Sequence, residues 1–112
     1  MSALSTFRQS LRGAEPLFAD TLAFIAEHYR YRPSAFRNGE VDNPAGQNEG
    51  SCKVLGLALL EGFELEEALL AFGEHYRQVL KDPRGGDHAN IRALMAHGLA
   101  GLRFEQAPLS RR

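Results

Sequence analysis

The residues best suited to chemistry sit in one string, Gly46-Gln47-Asn48-Glu49-Gly50-Ser51-Cys52-Lys53. It places the single cysteine of the chain in the first turn of a helix predicted from Ser51. A helix N-terminus stabilises a thiolate, and an adjacent lysine adds to that effect. A thiolate nucleophile also needs a base and a group to orient the base. His75 and His88 are the available bases, with Asn43, Asn48, Asn90 and Asp87 as orienting groups. The competing reading is structural: Ser51 caps the helix, and Cys52 packs as a small hydrophobe. We adopt the structural reading and expect Cys52 to be buried and slow to react. Thiol-dependent catalysis at Cys52 stands as the alternative.

The same string resembles the segment around the active cysteine of papain-like proteases, where a glutamine and Gly-Ser-Cys precede a helix. The likeness covers a handful of residues, and this chain is far too short for that fold. The histidines do not form a metal motif. His88 and His97 are nine residues apart, half a turn out of phase on one helix. No H-x-x-x-H or H-E-x-x-H occurs, so no metal and no cofactor are expected. Gly85-Gly86-Asp87-His88 precedes a helix, where backbone N–H groups can bind anions. An aspartate in the cap position would repel an anion, and no phosphate-loop motif is present. Arg30, Arg32 and Arg37 are the nearest approach to a basic cluster. Nucleic-acid binding calls for a basic stripe, and none is found.

These residues must be positioned by a small frame. A chain of 112 residues predicts one domain. Its 44% apolar and 24% charged residues match ordinary globular usage, which argues against disorder. Net charge is −1, so no basic field recruits nucleic acid or anionic lipid. The longest apolar run, 54–60, is well short of the roughly 20 residues of a membrane span. The start of the chain lacks a signal-peptide core. It is serine-bearing and acid-poor, as bacterial secretion leaders are, but Leu4, Phe7 and Leu11 recur at helical spacing.

The fold class is mainly α (α+β): five helices around a central apolar one, with a small antiparallel hairpin. Helix one spans 4–12, capped by Ser2. Helix two opens with Pro16 near its first position and runs on toward Arg32, stopping before Pro33. Asn38-Gly39 is the pair that a type I′ turn wants, with both central residues at positive φ. Helix three, 51–61, is apolar nearly all round, as a buried central helix is, and Gly62 ends it. Gly56 in its middle marks a close neighbouring backbone. Helix four spans 65–80. Helix five starts at an Asp87 cap and carries Asn90 three residues on. A short strand covers 102–105. The folded part is 4–105, and 106–112 is a frayed tail.

Polarity concentrates between Asn38 and Lys53 and again at Asp87, His88 and Asn90. If helix three is central, its N-terminus and that of helix five can share one surface. Two helix N-termini, with Lys53 and His88 adding positive charge, suit a small anion. The candidate binding residues are therefore Glu40, Asn43, Gln47, Asn48, Ser51, Lys53, Asp87, His88 and Asn90.

The order of residues carries a wider likeness. The run 35–40, then Asn43, then 45–53 resembles the central signature of the HopJ type III effector family. So do Ala71-Phe72-Gly73-Glu74-His75-Tyr76-Arg77, Pro83 through Asp87-His88, Asn90-Ile91-Arg92 and Gly101-Leu102-Arg103-Phe104. The likeness spans nearly the whole chain. It implies a small bacterial effector-like protein of no established activity, passed into a host cell through a type III apparatus. It brings no reaction and no catalytic residues. The reading adopted is a binding domain for an unknown protein or small-anion ligand, and the absence of a signal peptide or span makes the bacterial cytoplasm the expected residence. A bacterial housekeeping or regulatory protein that is never translocated is the alternative within the same family. Neither nucleic acid nor membrane is an expected partner.

Overall fold

Helix α1, Ala3–Ser10, begins where Ser2 accepts a hydrogen bond from the Ser5 N–H at 3.0 Å. That is the cap the sequence implied, since a serine oxygen satisfies one orphan donor of the first turn. The computed structural model describes residues 2–112. Helix α2 is Phe18–His28, and Phe24 stacks on Phe7 of α1 with ring centres 4.3 Å apart. Pro16 lies outside α2, contrary to the sequence reading. The Pro16 carbonyl accepts from Arg77 at 2.6 Å, and the Phe18 N–H donates to Glu74 at 2.8 Å. Those two bonds hold 16–17 extended across another helix, so α2 starts later.

The end of α2 also comes earlier than periodicity predicts. Strand β1, Tyr29–Tyr31, follows at once and pairs antiparallel with β5, Leu109–Arg111. The C-terminal segment is thus a strand, not a frayed tail. Leu109 is buried, and the Arg32 N–H donates to the Pro108 carbonyl at 2.8 Å. Arg111 pairs with Glu61 at 2.5 Å, and the Tyr29 hydroxyl donates to the same carboxylate.

A second sheet has the order β3-β2-β4, all antiparallel. It comprises β2 (Phe36–Asn38), β3 (Val41–Asn43) and β4 (Leu102–Phe104). Asn38 pairs with Val41, so the turn centre is Gly39-Glu40 rather than Asn38-Gly39. Gly39 alone takes positive φ, +58°, at the first central position, as a type II′ turn requires. Asn38 stays on the strand because its side chain is fully buried.

Helix α3, Glu49–Glu61, is the core. Val54, Leu55, Leu57 and Ala58 are completely enclosed, while Leu59 is 47% exposed, so the helix does reach solvent along one edge. Gly62 ends it in the left-handed region at φ +67°. The close neighbour at Gly56 is not the backbone that the sequence suggests but side chains of the C-terminal segment, Pro108 and Leu109. A Cβ there would stand 2.5 Å from the Pro108 ring.

The long fourth helix is two helices, α4 (Leu65–Leu70) and α5 (Glu74–Lys81). They break at Gly73, φ +61°, where a Cβ would lie 2.3 Å from the Phe18 nitrogen. Helix α6 is Ala89–His97, followed by a 3-10 turn at Leu99–Gly101 that leads into β4. The described residues thus form six α-helices and two small antiparallel sheets. No helix among them is long and apolar enough to cross a membrane.

Arg8 fixes α1 to α4. Its guanidinium donates to both oxygens of Glu67, at 2.8 and 2.5 Å, and Glu67 is only 5% exposed. These bonds hold the Glu67 carboxyl below the usual carboxylate range, as Arg111 and Tyr29 do for Glu61. A depressed carboxyl pKa adds stability that is complete above the unfolded value, about 4.3. That stability is lost as pH falls through the lower folded values. Thermal unfolding should therefore show a Tm steady from neutral pH down to about 5 and falling below it. Glu67→Gln should lower Tm at neutral pH and flatten the acid limb. An unchanged limb would show that the Arg8–Glu67 pair contributes nothing.

Candidate functional site

The starts of α3 and α6 meet at a cleft of about 280 Å³, lined by Asn48, Ser51, His75, His88 and Asn90 together with Phe18 and Phe72. Asn48 and His88 each occupy the position just before their helix. Both are left-handed, at φ 51°, ψ 46° and φ 51°, ψ 50°. They are the only non-glycine residues with positive φ among the described residues. Such conformations cost energy, and they gather where structure serves function. Neither residue closes its helix end with a side-chain hydrogen bond.

The two sequence-expected caps are not caps. Ser51 lies inside the first turn of α3, and its place before the helix is taken by Asn48. Asp87 precedes His88, and Arg92 draws its carboxylate away at 2.7 Å while also donating to the Asp87 carbonyl. Asn48 does not cap: its backbone is left-handed rather than extended, and its Nδ2 donates to Asn43 Oδ1 at 2.7 Å.

That bond belongs to a buried network. Asn43 and Asn90 exchange amide hydrogen bonds, Asn43 Nδ2 to Asn90 Oδ1 at 3.1 Å and the reverse at 2.9 Å. Asn38 Nδ2 donates to the Asn90 carbonyl at 2.8 Å and to its Oδ1 at 3.1 Å. Asn38, Asn43 and Asn90 are all buried. Asn43 and Asn90 are therefore joints between the hairpin and α6 rather than free ligand-binding groups, although Asn90 forms part of the cleft wall.

The remaining candidates divide. Glu40 is exposed at the hairpin tip and Gln47 is exposed in the loop, and neither lines the cleft. Lys53 lies over the Tyr31 ring, 4.8 Å from its centre, so the expected cationic contribution is absent from the cleft wall. The residue that sequence reasoning set in another role is His75. Its ring centre lies 5.0 Å from that of His88, and its edge meets Phe18 at 4.9 Å. His75 Nδ1 is buried without a hydrogen-bond partner, and His88 Nε2 lies 2.9 Å from Gln78 Oε1. The signal was Gly73: reading it as a helix break would have made His75 a first-turn residue of a third helix.

The acids near the cleft each hold another partner: Glu49 the Tyr31 hydroxyl at 3.2 Å, Glu74 the Phe18 N–H and Asp87 the Arg92 guanidinium, with the second Asp87 oxygen 3.9 Å from His88 Nε2. No acidic side chain lines the cleft.

Cys52 belongs to another face of α3. It is 1% exposed, with Sγ 3.7 Å from the Ser34 carbonyl. Burial pushes the thiol up, the opposite of an activated nucleophile. Its hydrogen-bonding neighbours are Ser34 and Tyr31, not a histidine. No group of three or more His, Cys, Asp or Glu among the described residues is placed to hold a metal ion.

Two outcomes are expected from this geometry. Iodoacetamide should alkylate Cys52 far more slowly in the native protein than in the urea-unfolded chain; equal rates would return the thiol to consideration. Asn90→Ala should cost about 2–4 kcal/mol in chemical denaturation, because it strands buried amide groups of Asn38 and Asn43. A loss within error would mean that water replaces the network.

The comparisons with known proteins agree with the order of residues. The crystal structure of the unknown-function protein VPA0580 superposes with a TM-score of 0.93 at 37% identity, over 99% of this chain and 95% of that one. No curated protein matches the chain significantly. The family described as HopJ type III effector protein matches residues 4–109. With nearly its whole length matched, this chain belongs to the HopJ type III effector family.

Proposed function

We propose that this protein is a small effector-type domain that acts by binding, and that the cleft between α3 and α6 takes a small anion or an anionic group on a protein partner. One observation carries the reading: two helix ends without side-chain caps, at Asn48 and His88, open on one cleft with no acidic side chain in its wall. Unsatisfied N–H groups and the helix dipole both attract negative charge there. The size of the cleft sets the scale of the guest. About 280 Å³ falls just below the range of ordinary small-molecule pockets, which suits a carboxylate- or phosphate-sized group. Binding is favoured over thiol catalysis because Cys52 is enclosed and carries a raised pKa. The family supports an effector-like role, and with it bacterial origin and delivery into a host cell by a type III system.

The anion reading is tested by titrating sulfate, and separately acetate, into the isotopically labelled protein while following amide resonances. Residues 48–51 and 88–91 should shift together and saturate, with the hairpin tip at Glu40 unmoved. Absence of shifts at millimolar anion would remove the site. Delivery is tested independently by a reporter fusion in bacteria with and without a working type III apparatus; signal in both would remove the translocated role.

A further inference from the structure

We propose that a hollow between β1 and the lead-in to β5 is a second binding site, which takes a phosphomonoester group between Arg30 and Arg32. The site is separate from the cleft at α3 and α6. The hollow measures about 330 Å³, and Arg30, Tyr31, Arg32 and residues 107–110 line it. Its wall holds two guanidiniums and no acidic side chain. That volume lies at the lower end of the range for small-molecule pockets.

The strand pairing brings the groups together. Of the three arginines nearest one another in sequence, Arg37 goes to the other sheet, where it donates to the Gly39 carbonyl at 2.9 Å. Arg30 and Arg32 stay on one segment. Arg30 pairs with Ser110, and the ladder runs one step further, to the Arg32 N–H on the Pro108 carbonyl. Side chains alternate along a strand, so Arg30 and Arg32 leave on one face with their Cα atoms about 7 Å apart, and Ser110 stands beside Arg30 on that face. Tyr29 and Leu109 point the other way, into the core, while Arg30, Arg32 and Ser110 are exposed.

These two arginines differ from the rest. Among the described residues, every other arginine except Arg84 donates its guanidinium to a carboxylate or a carbonyl. The acids that reach this sheet hold partners already: Glu61 binds Arg111 and Tyr29, and Glu49 accepts from the Tyr31 hydroxyl at 3.2 Å. A guanidinium is a planar fork of donors that fits two oxygens of a carboxylate or phosphate. One carboxylate satisfies one fork. A phosphomonoester offers three terminal oxygens and nearly two charges at neutral pH, enough for both forks and the Ser110 hydroxyl.

The test is a titration of inorganic phosphate, and separately of glycerol phosphate, into the isotopically labelled protein at ionic strength held constant with chloride. Backbone amides of residues 30–32, 107, 109 and 110 should shift and saturate, together with the Arg30 and Arg32 Nε–Hε signals. Residues 48–51 and 88–91 report the other cleft separately. Arg30→Gln and Arg32→Gln should each weaken phosphate about tenfold or more, since each removes charge-assisted hydrogen bonds. Arg84→Gln removes the same charge outside the hollow and should change affinity less than about twofold. Acetate should bind at least about tenfold more weakly than phosphate. A phosphoserine peptide that binds more tightly than glycerol phosphate makes a modified protein the source of the group, and the reverse makes it a small molecule; both support the site. Shifts that do not saturate, or that weaken as much in Arg84→Gln as in Arg30→Gln, overturn it. Acetate binding as tightly as phosphate overturns the phosphate assignment. If either hollow variant fails to fold, unmoved Arg30 and Arg32 Nε–Hε signals in the wild-type protein overturn the site in the same way.

Discussion

Three buried amides hold this molecule in its working shape. Asn38 and Asn43 come from the two arms of one hairpin, and Asn90 from the first turn of α6. Their hydrogen bonds tie a two-residue-turn hairpin to a helix 47 to 52 residues further along the chain. Apolar side chains there would pack without fixing a register, whereas these amides pair in few arrangements, with Asn38 Oδ1 left unpartnered. The network reaches outward through Asn48, whose side chain is recruited by Asn43. An asparagine before a helix ordinarily turns its oxygen back onto the first-turn N–H groups. Here the backbone is left-handed and the side chain is bonded to Asn43, and the helix end stays without that cap.

The same trade appears around the cleft. Acidic side chains are where helix dipoles favour them, at Glu49 and Glu74, and yet neither presents its charge to the cleft. Tyr31 and the Phe18 N–H take them. Gly73 makes that possible, since only a residue without a side chain lets the α2 lead-in pass so near the start of α5. The cleft is therefore a product of packing decisions made outside it. The HopJ fold places three helix starts around one small space and directs their acids elsewhere.

What was legible in the sequence follows from the range of each signal. Ser2, Gly62 and the apolar run at 54–58 act locally, through a cap, a left-handed stop and a buried face, and each appears where its chemistry predicts. The break at Gly73, the strand at Tyr29–Tyr31 and the strand at Leu109–Arg111 depend on partners far along the chain. Tyr29-Arg30-Tyr31 continues a helical stripe on its own terms and becomes strand only because Leu109–Arg111 lies beside it. The site divided in the same way. Polarity correctly marked the meeting of α3 and α6. It did not distinguish Asn43 and Asn90, enclosed by long-range hydrogen bonds, from Asn48 and His88, which border space. Proximity in sequence puts Lys53 at the site, but its position on α3 points it to Tyr31.

The strand at Leu109–Arg111 also imposes an order in time. Until it arrives, the bare backbone at Gly56 and the edge of Tyr29–Tyr31 lie open in the middle of the core. A chain made from its N-terminus presents that gap until the covering Pro108 and Leu109 emerge, long after Gly56 has. The loop to be closed spans most of the chain, so local helices form before it. During that interval the nascent protein offers an apolar groove beside an unpaired strand, a shape that chaperones and strand-donating chains recognise.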